Sequence, residues 1–564
     1  MFRWMRPRCN SAAATIAVAA WILIWSMPLV TIGWRAVVRP SSSSDTEFPA
    51  IASISAPPAW FETDSPLSRW PELIFRSLRL SVLAAISATS LGSILAFLIV
   101  RCRWRFAGPT RFLWSLALFF PLPVVATVWL GAFSNLGRSQ AFGIASRPIV
   151  SGWVAAWIVH SIAALPLVVT ILGSAFSSTD AELEDHARLE HSSLGAILRS
   201  TFRSVRPAIV ASLLIVLIVT AGDMTVTDLV QERTFAEETY LQAQMGDGLT
   251  AAARTALPMT MMVAGAILCW TRFALRDFGQ IVSRGFRISK TRAWFSGRNG
   301  FLAGIVAIIA TGLFGALPLV SLTWRAGRSG GLASIERLPR WSAGSLARNL
   351  ADAMPDLTET LLWTGLLASV VAIGGTVVAW CMVVSLSETR FGRICLALGA
   401  ALGLAVPGPL AGLAVLWLWM PVPRLYDSLF VVVAAVTFRF LGVAVFLIWA
   451  AKNSIPGELE ELARLDGISG RERFRRLRWP YLGPAAAVSA ILLFAFAVGE
   501  LPAANMTVPP GIDLMSVRLW SLMHTGMESH LAAFVLAIVV TFVIFFGVVI
   551  LSYLTVLRRT DNGS

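Results

Sequence analysis

The sequence predicts an all-α polytopic membrane protein with about 12 transmembrane helices, arranged as two tandem six-helix halves. Three observations lead there. The 564-residue chain is 56% hydrophobic and 14% charged, whereas soluble domains carry about 25% charged residues. Apolar runs close to the ~20 residues needed to cross a bilayer core recur along its whole length. A short charged segment also occurs twice, as Glu184-Asp185-His186-Ala187-Arg188-Leu189-Glu190-His191 and as Glu460-Glu461-Leu462-Ala463-Arg464-Leu465-Asp466-Gly467. The two copies stand 276 residues apart (460 − 184 and 464 − 188), about half the chain.

This composition excludes a soluble enzyme. The net charge of +14 does not indicate nucleic acid, because the arginines lie in short clusters between apolar runs, which is the positive-inside signal of a membrane protein. The five cysteines, Cys9, Cys102, Cys269, Cys381 and Cys395, have no metal spacing, and disulfides are not expected among them.

In chain order, Arg3, Arg6 and Arg8 precede an apolar run at about 11–34, read as an anchored helix rather than a cleaved signal peptide because no small-x-small site ends it. A polar stretch containing Ser41 to Ser44, Pro57 and Pro58 is placed outside. The second run, about 78–100, ends at Arg101, Arg103, Arg105 and Arg111 on the cytosolic side. The third, about 112–133, contains Pro121 and Pro123, which a spanning helix tolerates when neighbours satisfy the freed backbone groups. The fourth, about 149–176, leads to the first charged segment, where Thr179-Asp180-Ala181-Glu182 has capping-box spacing. Arg199, Arg203 and Arg206 follow, then runs at about 207–221 and 256–275 separated by a polar segment. A basic connector with Arg276, Arg284, Arg287, Lys290, Arg292 and Arg298 divides the halves.

The second half repeats the plan, with runs at about 301–324, 357–386, 394–419, 428–451, 481–499 and 531–557. Twelve spans with both termini inside place every basic cluster, including Arg390, Arg393 and the terminal Arg558 and Arg559, on one side. The domain reading is a first half over 1–275 (core about 76–275), a linker over 276–299, and a second half over 300–564 (core about 356–557).

Each charged segment lies between the fourth and fifth spans of its half. Glu184 to Arg188 and Glu460 to Arg464 are i,i+4 pairs in the supportive direction, worth ~0.2–0.5 kcal/mol each. In the second copy Ser454 and Pro456 read as helix-start signals and Gly467 as the left-handed residue after the helix end. Residues 470–479 read as a second, basic helix closed by Pro480. The expected product is a two-helix knob below the membrane. A lipid-surface helix is the alternative, but Glu458, Glu460 and Glu461 would be repelled by anionic headgroups, so a protein partner is the preferred reading.

This knob resembles the EAA motif of binding-protein-dependent ABC importer permeases, where Glu-Ala-Ala, three residues and Gly form a coupling helix that docks on the ATPase. The second copy carries Glu461-Leu462-Ala463 with Gly467; the first carries Asp185-His186-Ala187 with His191 in place of Gly. Pro207 and Pro480 are 273 apart, so the first loop is three residues longer after the motif. The chain resembles the fused, two-copy permeases of the ferric-iron transport type, whose relatives include thiamine and phosphonate permeases. Glu388-Thr389-Arg390-Phe391-Gly392-Arg393, Pro407-Gly408-Pro409-Leu410, Phe438-Arg439-Phe440-Leu441, Val508-Pro509-Pro510-Gly511 and Ser516-Val517-Arg518-Leu519 belong to the same pattern.

The resemblance implies a transport subunit in the cell inner membrane that is not itself an enzyme. It implies two ABC ATPase subunits carrying ATP and Mg, an extracytoplasmic solute-binding protein meeting outer segments at about 223–255 and 501–530, and no cofactor on this chain. The only lysines, Lys290 and Lys452, follow Ser289 and Ala451, so no Walker A phosphate loop is present. The expected ATPase-coupling residues are Glu184, Asp185, Ala187, Arg188, Glu190, Glu460, Glu461, Ala463, Arg464, Asp466 and Gly467.

Candidate pathway residues are Arg439, Asp223 and Glu500. Arg439 lies inside an apolar run, where a charge is costly; it is either functional, or lies near the outer end and snorkels or pairs with an acid. Asp223 and Glu500 occupy matching places after the fifth span, 277 residues apart, and are read as wetted helix-end carboxylates in preference to a cation site. His160 is read as a packing residue, His186 and His191 as docking-knob residues, and His524 and His530 as too sparsely accompanied for a metal. No catalytic constellation is found. The alternative function is a gradient-driven secondary transporter of two six-helix halves, which would need matched acids at mid-span; none is expected. A membrane-embedded enzyme is the third reading and lacks a polar constellation.

Overall fold

A computed structural model describes residues 18–37, 66–137, 150–245, 248–273, 275, 293–329, 340–525 and 528–561. The basic N-terminal cluster, Cys9, the polar stretch after the first run and most of the connector, including Arg276, Arg284, Arg287, Lys290 and Arg292, lie outside them.

The apolar runs fold as helices because the bilayer offers backbone N–H and C=O groups no partner except one another. Among the described residues eight are long and apolar enough to cross a membrane, two more are helix pairs sharply bent at a short break, and two are shorter. In the first half these are α1 (Val18–Trp34), α2 (Pro66–Arg101), the bent pair α3 (Ala107–Ala117) and α4 (Leu122–Gly137), and α5 (Gly152–Ser177). Then come the charged helix α6 (Ala181–Glu190), α7 (Arg206–Ala221), the short α8 (Thr225–Leu229) and α9 (Phe235–Met245), and α10 (Leu249–Phe273).

The second half contains α11 (Gly297–Ala326), α12 (Ala343–Leu386), the bent pair α13 (Arg390–Ala405) and α14 (Gly408–Trp419), and α15 (Leu429–Asn453). The charged α16 (Gly457–Leu465), α17 (Trp479–Gly499), α18 (Pro502–Thr507), α19 (Met515–His524) and α20 (Glu528–Asp561) complete it. A two-residue antiparallel ladder, β1 (Arg328–Ser329) with β2 (Arg340–Trp341), flanks α11.

The runs at about 112–133 and 394–419 are not the straight spans expected. They bend by 105° and 113°. Each break falls at a Pro-x-Pro, Pro121-Leu122-Pro123 and Pro407-Gly408-Pro409: proline has no N–H to give the preceding turn but suits the first turn of a new helix. Each bent pair still carries the chain from one end of the bundle to the other. At the basic end, Arg101 of α2 donates to Phe176 O of α5 at 3.3 Å, and Arg111 of α3 donates to Gly173 O at 3.3 Å. Thus α2 and α5 end together and run parallel, with the pair crossing back between them. Lys452, at the end of α15, likewise bonds Ser387 and Glu388 just past α12, at 2.8 and 2.6 Å.

The halves exchange their first helices. Trp25 of α1 is fully buried against Gly399 and Gly403 of α13, where a side chain would collide with its ring, and donates to Phe438 O at 3.1 Å. Trp21 donates to Cys395 O at 3.1 Å. Reciprocally, α11 lies against α3 and α4. The first run thus packs against α13 and α15.

Candidate functional site

Both charged segments form helices at the basic end. Asp180, not Thr179, caps α6, accepting the Glu182 N–H at 3.0 Å; Thr179 faces inward and accepts from Arg101 at 3.1 Å. Ser454 ends α15 by bonding back to Ala451 O at 2.8 Å, so Pro456 alone serves as the N-cap of α16. Past α16, Gly467 takes φ +66°, with Gly467 N–H on Arg464 O (3.1 Å) and Ile468 N–H on Ala463 O (3.2 Å). These are the two bonds of a Schellman turn, and glycine occupies its left-handed position without strain. The first copy ends differently: His191 is extended at φ −135°.

The second helix expected over 470–479 is not closed by Pro480. Residues 470–499 form one continuous helix that enters the bundle through a π-helical segment, Phe474–Arg478. The wider π turn accommodates the hydrogen bond that Pro480 cannot make. A similar π segment, Ile197–Phe202, precedes α7. Each knob is therefore one short helix carried by the root of the fifth span.

The acids at the start of the motif anchor these knobs. Glu184 is buried and pairs with Arg101 instead of Arg188, and accepts the Thr201 hydroxyl at 2.8 Å. Arg188 instead stacks on Trp294, 4.0 Å from its ring centre. Glu460 keeps Arg464 at 3.7 Å but bonds more closely to Arg478, at 2.8 and 3.1 Å. Hydrogen bonding from that guanidinium holds the Glu460 carboxyl below the usual range. Ala463 is buried and Ala187 half-buried, whereas Asp185, Glu190, Glu461, Asp466 and Gly467 lie half or fully exposed. Apolar side chains point outward: Leu189 is 85% exposed and Leu465, at the same offset of 276 (465 − 189), is 82% exposed.

A second constellation lies deep between the halves. A cavity of about 170 Å³ is lined by His160, Asp223, Arg439 and Glu500 among apolar side chains. Arg439 stands ten residues from the first and fourteen from the last residue of α15, roughly 15 and 21 Å along the axis. It neither snorkels nor reaches an outer end. It grips both Glu500 oxygens at 2.5 Å and reaches Gly222 O of the first half at 3.4 Å.

Asp223 and Glu500 are 5% and 4% exposed, so they are not the wetted carboxylates expected. Each accepts the backbone N–H three residues on, Val226 at 3.1 Å and Ala503 at 2.8 Å, thereby starting α8 and α18. Asp223 also faces His160 at 3.5 Å. Matched acids at depth are thus present, contrary to the sequence expectation, and their absence cannot argue against gradient-driven transport. Gly408 makes room for this site: a side chain there would meet Pro502 at 2.4 Å and Arg439 at 2.8 Å.

The segments expected to be outer loops are largely packed inward. Residues 234–239 and 514–516 are buried, and the exposed parts are short, near Gln231, Gly511 and His524. His524 bonds Asp228 of the other half at 3.0 Å, and His530 faces Asp356 at 3.6 Å. Burial, reinforced by Asp228, pushes the Glu237 carboxyl up to about 8. Among the described residues no cluster of three metal-ligating side chains occurs, and Cys102, Cys269, Cys381 and Cys395 are free thiols.

Residues 373–560 match the family described as binding-protein-dependent transport system inner membrane component. Over these residues the chain belongs to the ABC importer permeases. The matched span includes α16, Arg439 and Glu500. Over 475 residues the permease is 23% identical to an Fe(3+)-transport system permease protein of Haemophilus influenzae, covering 82% of this chain and 86% of that protein. It is 25% identical over 460 residues to the thiamine transport system permease protein ThiP of Brucella abortus, covering 76% and 78%. A shorter stretch of 97 residues is 34% identical to the maltose/maltodextrin permease MalG of Vibrio parahaemolyticus, 17% of this chain and 30% of that one. These relatives are transport permeases, and the matched family is by its description the membrane component of systems that depend on a binding protein.

The positions of Arg101, Thr201, Arg478 and Trp294 were not legible as site residues. The first three sit in or beside basic clusters that serve equally as topology signals, and Trp294 lies in the connector. The 277-residue offset did signal the Asp223 and Glu500 pair.

Proposed function

We propose that this permease forms the whole membrane pathway of an ATP-driven importer whose solute is ferric iron, with thiamine as the next reading. The full-length likeness to the Fe(3+) and thiamine permeases supports this choice of solutes. The observation that carries the coupling reading is the pair of exposed apolar knobs, Leu189 on α6 and Leu465 on α16, at one offset and one end of the bundle. Two ABC ATPase subunits, carrying ATP and Mg, dock one on each; the permease binds no cofactor of its own. The halves are 1–275 and 300–564, joined by a cytoplasmic linker over 276–299, with both termini cytoplasmic in the cell inner membrane.

Closure of the ATPase pair moves α6 and α16, and with them the fifth spans to which they are joined. Each ATPase state must favour one orientation of the pathway by a difference in binding energy. Around the cavity, the Arg439–Glu500 pair and the Asp223–His160 pair offer a solute polar contacts from both halves.

The test is ATPase stimulation in nanodiscs, with the permease, its ATPase and a ferric-loaded or thiamine-loaded binding protein. Stimulation by one loaded protein, lost in Gly467→Glu, supports the importer and names its solute. Uptake that needs a proton or sodium gradient and ignores ATP would overturn it in favour of the buried acids as coupling groups.

A further inference from the structure

The two knobs have different local sequences and are held by different means. In α16 the Schellman turn at Gly467 and the Glu460–Arg478 pair suffice. The first copy lacks the glycine; from its fifth-span root Arg199 reaches His191 at 3.1 Å, while Glu184 takes its partners elsewhere. Instead a closed ring surrounds Glu184. Trp294 donates its indole N–H to Thr201 at 3.1 Å, and the Thr201 hydroxyl donates to Glu184 at 2.8 Å. Glu184 pairs with the Arg101 guanidinium, and the Arg101 carbonyl accepts the Trp294 backbone N–H at 2.7 Å. Arg101, Glu184 and Thr201 are each no more than 2% exposed.

Three further contacts tie the same connector segment down. Arg103 N–H bonds Phe295 O at 2.8 Å, and Arg188 of α6 both stacks on the Trp294 ring and reaches Ala293 O at 3.5 Å. The end of the connector is therefore strapped across α2 and α6, touching both by backbone and side chain.

We propose that residues 293–295 are a working part of the first docking knob, with Trp294 as a positioning residue that sets the place of α6 as the Gly467 turn sets that of α16. This rests on the ATPase-docking reading. It makes the two docking sites non-equivalent: the first is fixed by the segment that joins the halves, and the second by its own helix end. The ring resists displacement because Arg101, Glu184 and Thr201 are buried, where hydrogen bonds that are lost are not replaced by water.

The experiment uses the full-length permease in nanodiscs, first without ATPase, and follows amide hydrogen exchange by mass spectrometry. Trp294→Ala should speed exchange over 181–190 by about tenfold and leave 457–465 unchanged. Trp294→Phe keeps the stack and the backbone bond and should fall between. Unchanged exchange over 181–190, or equal acceleration in both knobs, would overturn the proposal.

ATPase titration then supplies a readout that mere loosening would not move. In Trp294→Ala the ATPase concentration for half-maximal stimulation should rise about tenfold while the maximal rate holds; a fall in maximal rate alone counts against positioning. If the wild-type permease stimulates no ATPase, the importer reading fails, while the exchange data still decide whether the ring positions α6.

Discussion

Glu500→Gln is the sharpest probe of the buried site, because it removes a charge and almost nothing else. The amide keeps the size of the side chain and can still accept the Ala503 N–H now bonded at 2.8 Å. What it loses is the partner of Arg439, which is 7% exposed and holds both Glu500 oxygens at 2.5 Å. The remaining contact to Gly222 O, at 3.4 Å, is too long to compensate. Leaving a buried guanidinium without its counter-charge costs ~3–5 kcal/mol.

Arg439→Met should cost a comparable amount by stranding the carboxylate. The double variant Arg439→Met/Glu500→Gln removes both charges and should be less destabilised than either single one, with a coupling of at least ~2 kcal/mol. Unfolding in mixed micelles, followed by tryptophan fluorescence, gives all four corners of the cycle. If the double variant loses the sum of the two singles, the pair is solvated and independent, and the argument from burial fails.

Three further outcomes follow from the same contacts. Glu237 has its carboxyl raised to about 8 from 4.5, so the folded state keeps a proton that the unfolded chain releases. Its contribution to stability is full below pH 4.5 and is lost as pH rises through about 8; melting temperature against pH should flatten over that window in Glu237→Gln. Glu460 is shifted the other way by Arg478, so its contribution is present above 4.5 and lost as pH falls; protease cutting at α16 should rise on acidification in the wild type and already be high at neutral pH in Glu460→Gln. Trp25→Ala empties a fully buried site on α13 and should cost ~3–5 kcal/mol; α1 should then become cleavable in micelles while α6 and α16 keep their exchange rates.

Much of this architecture was legible because the bilayer imposes it. A solvent that cannot bond the backbone forces each apolar run into a helix, and clusters of arginine orient the runs. Among the described residues the apolar runs fall on helices or bent pairs, eight to ten of them long and apolar enough to cross a membrane. The duplicated charged segment was equally plain, since Gly467 states its own backbone conformation.

What remained hidden was partnership. A carboxylate has several arginines within reach along the chain, and local spacing favours the one four residues away. Burial decides otherwise: Glu184 turns to Arg101 and Arg439 turns to Glu500, because at low dielectric an unpaired charge costs far more than a surface pair contributes. The sequence by itself determined that the chain is an all-α membrane protein in which a short charged helix occurs twice, 276 residues apart. Only the tertiary structure decided that Asp223 and Glu500 line one buried cavity, that the bends fall at Pro121 and Pro407, and that Trp294 closes over the first knob. These depend on which helices pack side by side, and no periodicity along one helix encodes its neighbour.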